Sequence, residues 1–311
     1  MGTAGLVLLA ANLLVAQRVL DNDRVPNAHG AEVNSETLQV QGITNEAVVT
    51  GNGINYHGGP VLKGTVPLYF IWYGNWANGP RASDSQNTVN LINDLFASSG
   101  GIGGSGYEGI NSTYGDNTGN VSGNASVAAQ TFDTGSQGTS LTNTRLVAIV
   151  NRAITTGALP KNANGVYFVL TSSNISESGF CSSFCGFHTR ATIGGTDIKW
   201  SFVGNSDRCG SGCEVQTTSP NGDSGADGMA NVMAHESQEA ISDPDLNAWF
   251  DANGEENADK CNFKFGPEKT ASNGSKFNQT FGSHNWLIQM NWENSRGGGC
   301  DQTKGGAFFT N

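Results

Sequence analysis

Three short, nearly continuous apolar runs along the chain predict buried strands. They occupy residues 66–74, 165–171 and 198–204 and are rich in aromatic and β-branched side chains. Strands covered on both faces lack the alternation of apolar and polar residues that a half-exposed sheet shows, so these runs indicate a buried sheet. A weaker run at residues 127–132 predicts an edge strand.

Apolar residues at helical spacing predict three helices. Residues 85–97 place Val89, Ile92 and Phe96 on one face, and residues 144–157 repeat the spacing before a terminating glycine. Residues 227–244 form the third, with Asp227 as the expected N-cap. Because these elements run strand, helix, helix, strand, strand, helix, we expect an α+β fold, a single zincin-like domain with one mixed sheet and packed helices.

The remaining sequence is polar or rich in glycine. Residues 99–140 are dominated by Gly, Ser, Asn and Thr and predict a long loop, either a solvated insertion or a cleft wall. Residues 18–55 predict an extended arm or propeptide, which leaves residues 56–311 as the folded domain. Residues 1–17 contain an apolar run too short for a transmembrane span, so they predict a signal peptide or an arm that joins a homo-oligomer.

The third predicted helix carries a metal-binding pattern. His235 and Glu239 are four residues apart and therefore share a face, and Glu236 follows the histidine directly. This is the arrangement of a zincin helix in which glutamate replaces the second histidine. Zn²⁺ held by His235 and Glu239 would leave Glu236 beside a metal-bound water as the general base. The alternative is a solvated helix face with no metal.

Two ligands hold a metal weakly, so we expect a third from the sequence after the helix. Asp243, Asp245, Glu256 and Asp259 are the candidates. Glu256 and Asp259 are favoured because a disulfide at Cys261 would hold their segment in place. Residues 251–256 are also rich in oxygen ligands, which makes Ca²⁺ the alternative to Zn²⁺.

Composition and charge narrow the function classes. Only 14% of the 311 residues are charged, the chain has 43 glycines, and its net charge is −11 with 16 Lys and Arg residues. A nucleic-acid-binding protein needs a basic surface to neutralise phosphates, so this class is excluded. An acidic chain instead suits metal binding or solubility.

Six cysteines and six glycosylation sequons indicate a secreted, disulfide-bonded glycoprotein. Six cysteines allow fifteen pairings, of which we favour the local one: 181–185, 209–213 and 261–300. The alternative is a Cys-rich zinc site that includes His188; otherwise we expect this histidine to make a structural hydrogen bond in a loop. The sequons lie at Asn111, Asn120, Asn124, Asn174, Asn273 and Asn278.

Several motifs together resemble the EXORDIUM-like, or phosphate-induced protein, family. They include Tyr-His-Gly-Gly-Pro-Val at 56–61, Leu-Tyr-Phe-Ile-Trp-Tyr-Gly at 68–74, Gly-Phe-Cys at 179–181 and Pro-Asn-Gly-Asp at 220–223. The resemblance runs from about residue 56 to residue 300. It implies a secreted, cell-wall protein linked in plants to growth and cell expansion, and it supports local pairing of the two close cysteine pairs.

The helix at 227–244 departs from the plant pattern and resembles microbial relatives. Those relatives carry His-Glu-x-x-Glu, then Asp-Pro, then Glu-x-x-Asp-x-Cys, which correspond here to residues 235–239, 243–244 and 256–261. The resemblance therefore implies a metal site in this chain, and it weakens the expectation of a plant growth role.

Two functional hypotheses follow. The first is a secreted zincin-like metalloprotein; if it is catalytic, we expect a metallopeptidase in which Glu236 is the general base. The second is a non-catalytic extracellular or cell-wall structural glycoprotein that self-assembles and keeps a structural or vestigial metal site. Under both hypotheses, the partner is an extracellular protein or a cell-wall polymer. A carbohydrate-active protein with paired carboxylates is a weaker third hypothesis.

Overall fold

A six-stranded mixed sheet organises the fold. The computed structural model describes residues 24–26 and 53–309, so the predicted signal peptide or arm at 1–17 and most of residues 18–55 lie outside the described residues. The strands of the sheet are β1 (Arg24–Pro26), β2 (Val66–Tyr73), β3 (Ala125–Asp133), β4 (Val166–Thr171), β5 (Phe184–Ile193) and β6 (Thr196–Gly204). Their order is β1-β5-β6-β4-β2-β3.

The inner strands β6, β4, β2 and the edge strand β3 run parallel to one another, whereas β1 and β5 are antiparallel additions. The three predicted buried strands and the predicted edge strand are confirmed. Strand β5 was missed, because Gly186, His188 and Arg190 interrupt its apolar residues and its first residues lie between cysteines.

Four α-helices accompany the sheet in the described residues. They are α1 (Gln86–Leu95), α2 (Gly106–Gly109), α3 (Asn143–Thr155) and α4 (Ser224–Ser242). Ser85 and Thr142 accept hydrogen bonds from the first turns of α1 and α3, close to where the sequence predicted their starts. α4 packs on β5 and β6, with α1 against it.

Helix α4 is buried on all sides. Every residue from Gly225 to Ser242 is buried, which explains why small side chains alternate with polar ones instead of forming an apolar stripe. The N-cap is Asp223, whose carboxylate accepts from the Ala226 N–H at 2.9 Å, and not Asp227 as predicted. Asp227 lies in the first turn and is fully buried, because the helix begins earlier and continues into the core.

The prediction of a long loop over residues 99–140 is wrong for the first part of that segment. Residues 102–114 form two 3₁₀ turns and α2, and they bury Tyr107, Ile110 and Tyr114. Asn111, a predicted glycosylation site, is fully buried and donates its amide N–H to the Gln238 carbonyl at 3.0 Å. A glycan has no room there in the folded protein, because the 3₁₀ turn packs against α4.

The other five sequons lie at or near the surface. Asn120, Asn124 and Asn273 are exposed, whereas Asn174 and Asn278 are half-buried. The Asn278 amide donates to the carbonyls of Phe265 and Ile288 at 2.7 and 2.6 Å, so a glycan on that nitrogen would cost a hydrogen bond.

The three disulfides include one predicted pair and two that correct the prediction. Cys261–Cys300 forms as expected, but the others are Cys181–Cys209 and Cys185–Cys213. Strands β5 and β6 form an antiparallel hairpin in which Gly186 pairs with Val203. The segment before β5 therefore lies beside the segment after β6, and the disulfides join across the open end of the hairpin instead of within each segment.

The chain after α4 consists of short strands and turns, and Asn257, Asp259 and Gln289 within it form hydrogen bonds with the helix. The two-stranded ladders of the fold are Asn55–Tyr56 with Trp249–Phe250, Gly115–Asp116 with Gly119–Asn120, Ser140–Leu141 with Ser176–Glu177, Lys269–Thr270 with Lys276–Phe277, Gln279–Phe281 with His284–Trp286, and Asn291–Glu293 with Gly299–Asp301. None of the helices in the described ranges is long and apolar enough to cross a membrane.

Candidate metal centre

The helical spacing of α4 places His235 and Glu239 side by side, as predicted. His235 Nε2 lies 3.0 Å from Glu239 Oε1, and both side chains are buried. Two ligand atoms bound to one Zn²⁺ ion at about 2.0–2.2 Å each are separated by roughly 3–4 Å. The pair therefore has a spacing that suits a common ion.

The segment at 256–261 brings two acids to this pair, again as predicted. Asp259 Oδ1 lies 3.5 Å from His235 Nε2, and the Asp259 N–H donates to Glu239 Oε1 at 3.1 Å. The other Asp259 oxygen accepts from the Glu256 N–H at 3.1 Å. Cys261 ends this short turn and bonds to Cys300, so the disulfide holds both acids against α4.

His188 completes the cluster, although its sequence context suggested only a Cys-rich zinc site or a structural hydrogen bond; the cysteines of that zinc site form disulfides instead. It lies on β5, where Nε2 is 3.0 Å from Glu256 Oε2 and 4.0 Å from Glu239 Oε2. We expected a structural hydrogen bond in a loop. The signal available in the sequence was alternation, because Gly186 and His188 share one face of a strand with Phe187 on the other.

Two groups of ligand atoms result, and Glu239 belongs to both. One group is His188, Glu239 and Glu256, and the other is His235, Glu239 and Asp259; within each, the ligand atoms lie within 4.8 Å of one another. Glu239 turns Oε2 toward the first histidine and Oε1 toward the second. A histidine with two carboxylates is a donor set that zinc accepts.

Two of the predicted third ligands have other partners. Asp243 Oδ1 accepts from the N–H groups of Asn247 and Ala248 at 2.7 and 2.6 Å, and it forms the turn after α4. Asp245 lies 2.7 Å from Lys199 Nζ. The structure brings neither into the two ligand groups, because the chain turns away from the site directly after the helix.

The predicted Ca²⁺ loop at 251–256 is organised by other donors. Asp251 Oδ1 accepts from the N–H groups of Asn253 and Glu255, and Oδ2 pairs with Lys260 Nζ at 2.8 Å. An ammonium group and backbone N–H groups thus surround this carboxylate. Calcium is not needed to balance its charge.

Glu236, the predicted general base, is fully buried on the side of α4 that faces β5. A Cβ atom at Gly186 would lie 2.9 Å from Glu236 Oε1 and 2.5 Å from Val232 Cγ1. Gly186 is therefore the residue that allows α4 and its carboxylate to approach the strand. Glu236 is also close enough for its charge to help raise the pKa of His235.

The electrostatics of the site favour positive charge. Burial acts to lower the pKa of His235, but the charge of Glu239 and hydrogen bonds with Asp259 and Glu239 raise it well above the ordinary value. The two ligand groups hold three carboxylates, and Glu236 adds a fourth beside His235, so the carboxylates outnumber the two imidazoles. Buried ionised carboxylates are costly unless a cation or a proton balances them.

Gln289 holds the His235 ring and was also missed. Its Nε2 lies 2.9 Å from His235 Nδ1 and donates to the Ala258 carbonyl at 3.1 Å, while its backbone N–H donates to Asn231 Oδ1 at 2.7 Å. A ligating histidine usually donates its second ring N–H to an acceptor, so Gln289 would present its amide oxygen to Nδ1 when Nε2 binds a metal. Nothing in the local sequence marks Gln289, because it meets α4 only through the tertiary fold.

Comparison with known proteins gives a consistent result. Residues 54–286 match the family described as the phosphate-induced protein 1 conserved region. Protein EXORDIUM-like 5 of Arabidopsis thaliana is 33% identical over 218 residues, which cover 63% of this chain and 59% of that protein. Protein EXORDIUM-like 3 of the same plant is 31% identical over 217 residues, 63% of this chain and 64% of its own.

The chain thus spans less than two thirds of the length of these relatives. No solved structure matches it. The resemblance that the sequence motifs indicated is confirmed at the level of the family.

Proposed function

This chain belongs to the family of the phosphate-induced protein 1 conserved region, the EXORDIUM-like proteins, and on that premise we propose that it is an extracellular protein built around a buried divalent-metal site, with Zn²⁺ as the ion. His235, Glu239 and Asp259 form one part of the proposed ligand set, and His188 and Glu256 form the other with the shared Glu239. Three disulfides and the family membership support the extracellular location.

One observation carries the proposal: two imidazoles and several carboxylates converge in the protein interior. His188, His235 and Glu239 are at most 1% exposed, and Glu256 is 3% exposed. Acidic groups that lie together on a protein surface remain solvated, so their proximity costs little free energy. Buried acids need compensation, and a divalent cation supplies two positive charges where the ligand atoms already converge.

The burial of the ligands favours a structural role for the metal over a catalytic one. Structural zinc sites are closed, whereas catalytic sites keep one position open to water and substrate. A carboxylate in place of the second zincin histidine also donates more negative charge to the ion, which weakens its action as a Lewis acid. Zinc here would then add stability to the fold directly, because the unfolded chain has no preformed site.

Metal analysis combined with thermal unfolding tests this role. We expect the purified full chain to contain zinc, and we expect a chelator to lower its melting temperature. At a metal concentration about 100 times Kd, binding adds about 2.7 kcal/mol, or roughly 4–5 °C for a chain of this size. Identical melting with and without chelator, together with a metal-free protein, would contradict the proposal.

Histidine variants provide the matched comparison. H235Q and H188Q each remove one ligand. Loss of a residue that only hydrogen-bonds to a ligand weakens metal binding by roughly 10- to 100-fold, and we expect a larger effect from each of these two variants. H284Q changes a half-buried histidine outside the cluster and should bind zinc as the parent does. Equal zinc binding by all three variants would place the metal elsewhere.

Peptide hydrolysis is the second candidate, and the position of Glu236 is the observation that favours it. This carboxylate follows His235 directly on α4, as the general base does in zincins. Glu236 would take a proton from a water molecule that attacks a carbonyl carbon. E236Q should then abolish cleavage of casein or a peptide library while zinc content stays unchanged. If E236Q cleaves as well as the parent does, this candidate fails.

The cell-wall glycoprotein hypothesis is compatible with the structural metal role. Asn120, Asn124 and Asn273 are the exposed sequons that would carry glycans. Self-assembly through residues 1–17 concerns a segment outside the described residues and remains a proposal. An extracellular protein or a cell-wall polymer remains the proposed partner.

A further inference from the structure

An open cleft lies at the carboxyl-terminal edge of the parallel strands, and the metal ligands do not line it. Its volume is about 550 Å³. Arg81 follows β2, Ser173 and Asn174 follow β4, and Arg208 follows β6, so loops from three neighbouring parallel strands form its walls. Ligands of open parallel sheets bind at this edge, because the loops there converge from adjacent strands.

One buried carboxylate holds the three loops together. Asp84 is 3% exposed and belongs to the loop after β2. Its Oδ1 accepts from the backbone N–H of Ser173 at 2.7 Å and from the side-chain amide of Asn205 at 3.0 Å. Its Oδ2 accepts from the backbone N–H of Arg81 at 3.3 Å. Breaking the hydrogen bonds to this buried carboxylate would cost free energy, so the loops that form the cleft walls keep their positions before a ligand binds.

The disulfide Cys181–Cys209 adds a covalent tie at the rim. Cys181 lines the cleft, and Cys209 follows Arg208 directly. This bond limits how far the Arg208 loop can move from the opposite wall. Together with Asp84 it restrains the backbone that carries Arg81 and Arg208.

Two arginines of the cleft have no carboxylate partner among the described residues. In the described part of the chain, no carboxylate lies within ion-pair distance of Arg81 or Arg208, although the chain has a net charge of −11. Arg208 donates one N–H to the Ser173 carbonyl at 2.9 Å, which leaves further N–H groups of the guanidinium for a ligand. Both arginines are exposed.

The acids near the cleft are engaged elsewhere. Asp207 accepts from the hydroxyls of Ser83 and Ser224. Burial and the charge of Asp207 raise the pKa of Glu214, and Arg81 acts to lower it, so this guanidinium influences Glu214 from a distance. Asp207 and Glu214 therefore leave the guanidinium groups of Arg81 and Arg208 available to a ligand.

We infer that this cleft binds a small ligand through an anionic group, a carboxylate or a phosphate, held by Arg81 and Arg208. Guanidinium groups match both anions because their parallel N–H groups can donate to two oxygens at once. Asn174 supplies a neutral polar group beside the anion, whereas the N–H and hydroxyl of Ser173 donate to Asp84 and hold the wall in place. The proposal is independent of the metal centre.

Calorimetric titration of the full chain tests the inference with two anionic probes. Inorganic phosphate represents the phosphate source, and glucuronate represents a sugar carboxylate, with glucose as its uncharged control. We expect one or both anions to bind and glucose not to bind. Binding of phosphate alone or glucuronate alone supports the proposal and identifies the source. Absence of binding by both anions at about 10 mM overturns it.

Four variants locate the binding. R81Q and R208Q should each weaken anion binding by about 10- to 150-fold, the equivalent of one charged hydrogen bond. R208K should bind more tightly than R208Q, because it keeps the charge and a donor for Ser173; this separates loss of the anion contact from disturbance of the loop. R152Q removes an exposed arginine that does not line the cleft. Equal binding by R81Q, R208Q and R152Q would refute the site.

Discussion

Glu108 should lower the stability of the folded chain as the pH rises above 5. It lies in α2 at 1% exposure, and Glu108 Oε2 accepts from Gln238 Nε2 at 3.1 Å. Burial raises the pKa of Glu108 from 4.5 to about 8, although hydrogen bonds from Asn111 and Gln238 act in the opposite direction. The folded chain therefore keeps this proton at neutral pH.

The magnitude follows from the difference in bound protons. Between the unfolded pKa of 4.5 and the folded pKa of about 8, the folded state binds one more proton than the unfolded state. Stability from this group is fully present below the lower pKa and is lost as pH rises to the higher one. From about pH 5 to about pH 7 the free energy of unfolding should fall by about 2.5 kcal/mol.

E108Q removes this dependence and keeps the shape of the side chain. The glutamine oxygen can still accept from Gln238, so the hydrogen bond is retained. Measured by urea denaturation with chelator present, the stability of E108Q relative to the parent should increase by about 2.5 kcal/mol between about pH 5 and pH 7. E268Q, at an exposed glutamate, should follow the parent at each pH. Parallel pH profiles for E108Q and the parent would refute the reasoning.

Three further predictions concern the disulfides, the helix–strand contact and the metal ligands. Trypsin without reduction should release peptides 162–190 and 209–260 as one disulfide-linked species, whereas local pairing would release them separately. G186A should lower the free energy of unfolding by about 1–3 kcal/mol in a denaturant titration, because its Cβ meets the Val232 side chain and the overpacked contact cannot relax freely; unchanged stability would contradict this contact. Q289A should weaken zinc binding by about 10- to 100-fold, and unaltered affinity in a competition assay with a chelator would show that Gln289 does not orient His235.

Predictions based on local pattern agree closely with the fold. The strands at 66–74, 165–171 and 198–204 are present, and α1 and α3 begin at capped positions close to the expected ones. The strand β5 was missed because it buries His188 and Thr189 among its apolar residues and therefore gives no continuous apolar run. Residues 102–114 were assigned to a loop because their composition is polar, although tertiary contacts bury them.

In the candidate metal centre, too, some ligands could be predicted from the local sequence and others could not. The pairing of His235 with Glu239 was predictable because four residues make about one helical turn. Contributions from Glu256 and Asp259 were predictable because Cys261 bonds to Cys300 and holds their segment in place. Asp243 was a candidate from its position after the helix, but the turn there uses its carboxylate to accept backbone N–H groups.

The sequence alone determined the family, the main strands and helices, and the metal pattern on one helix face, because each depends on residues within a few positions of one another. Only the tertiary structure decided that His188 joins Glu256, 68 residues away, and that cysteines pair across the hairpin. The reason is physical: strand pairing sets which distant segments become neighbours. Burial around α4 then turns a common polar pattern into a group of charges that needs a cation.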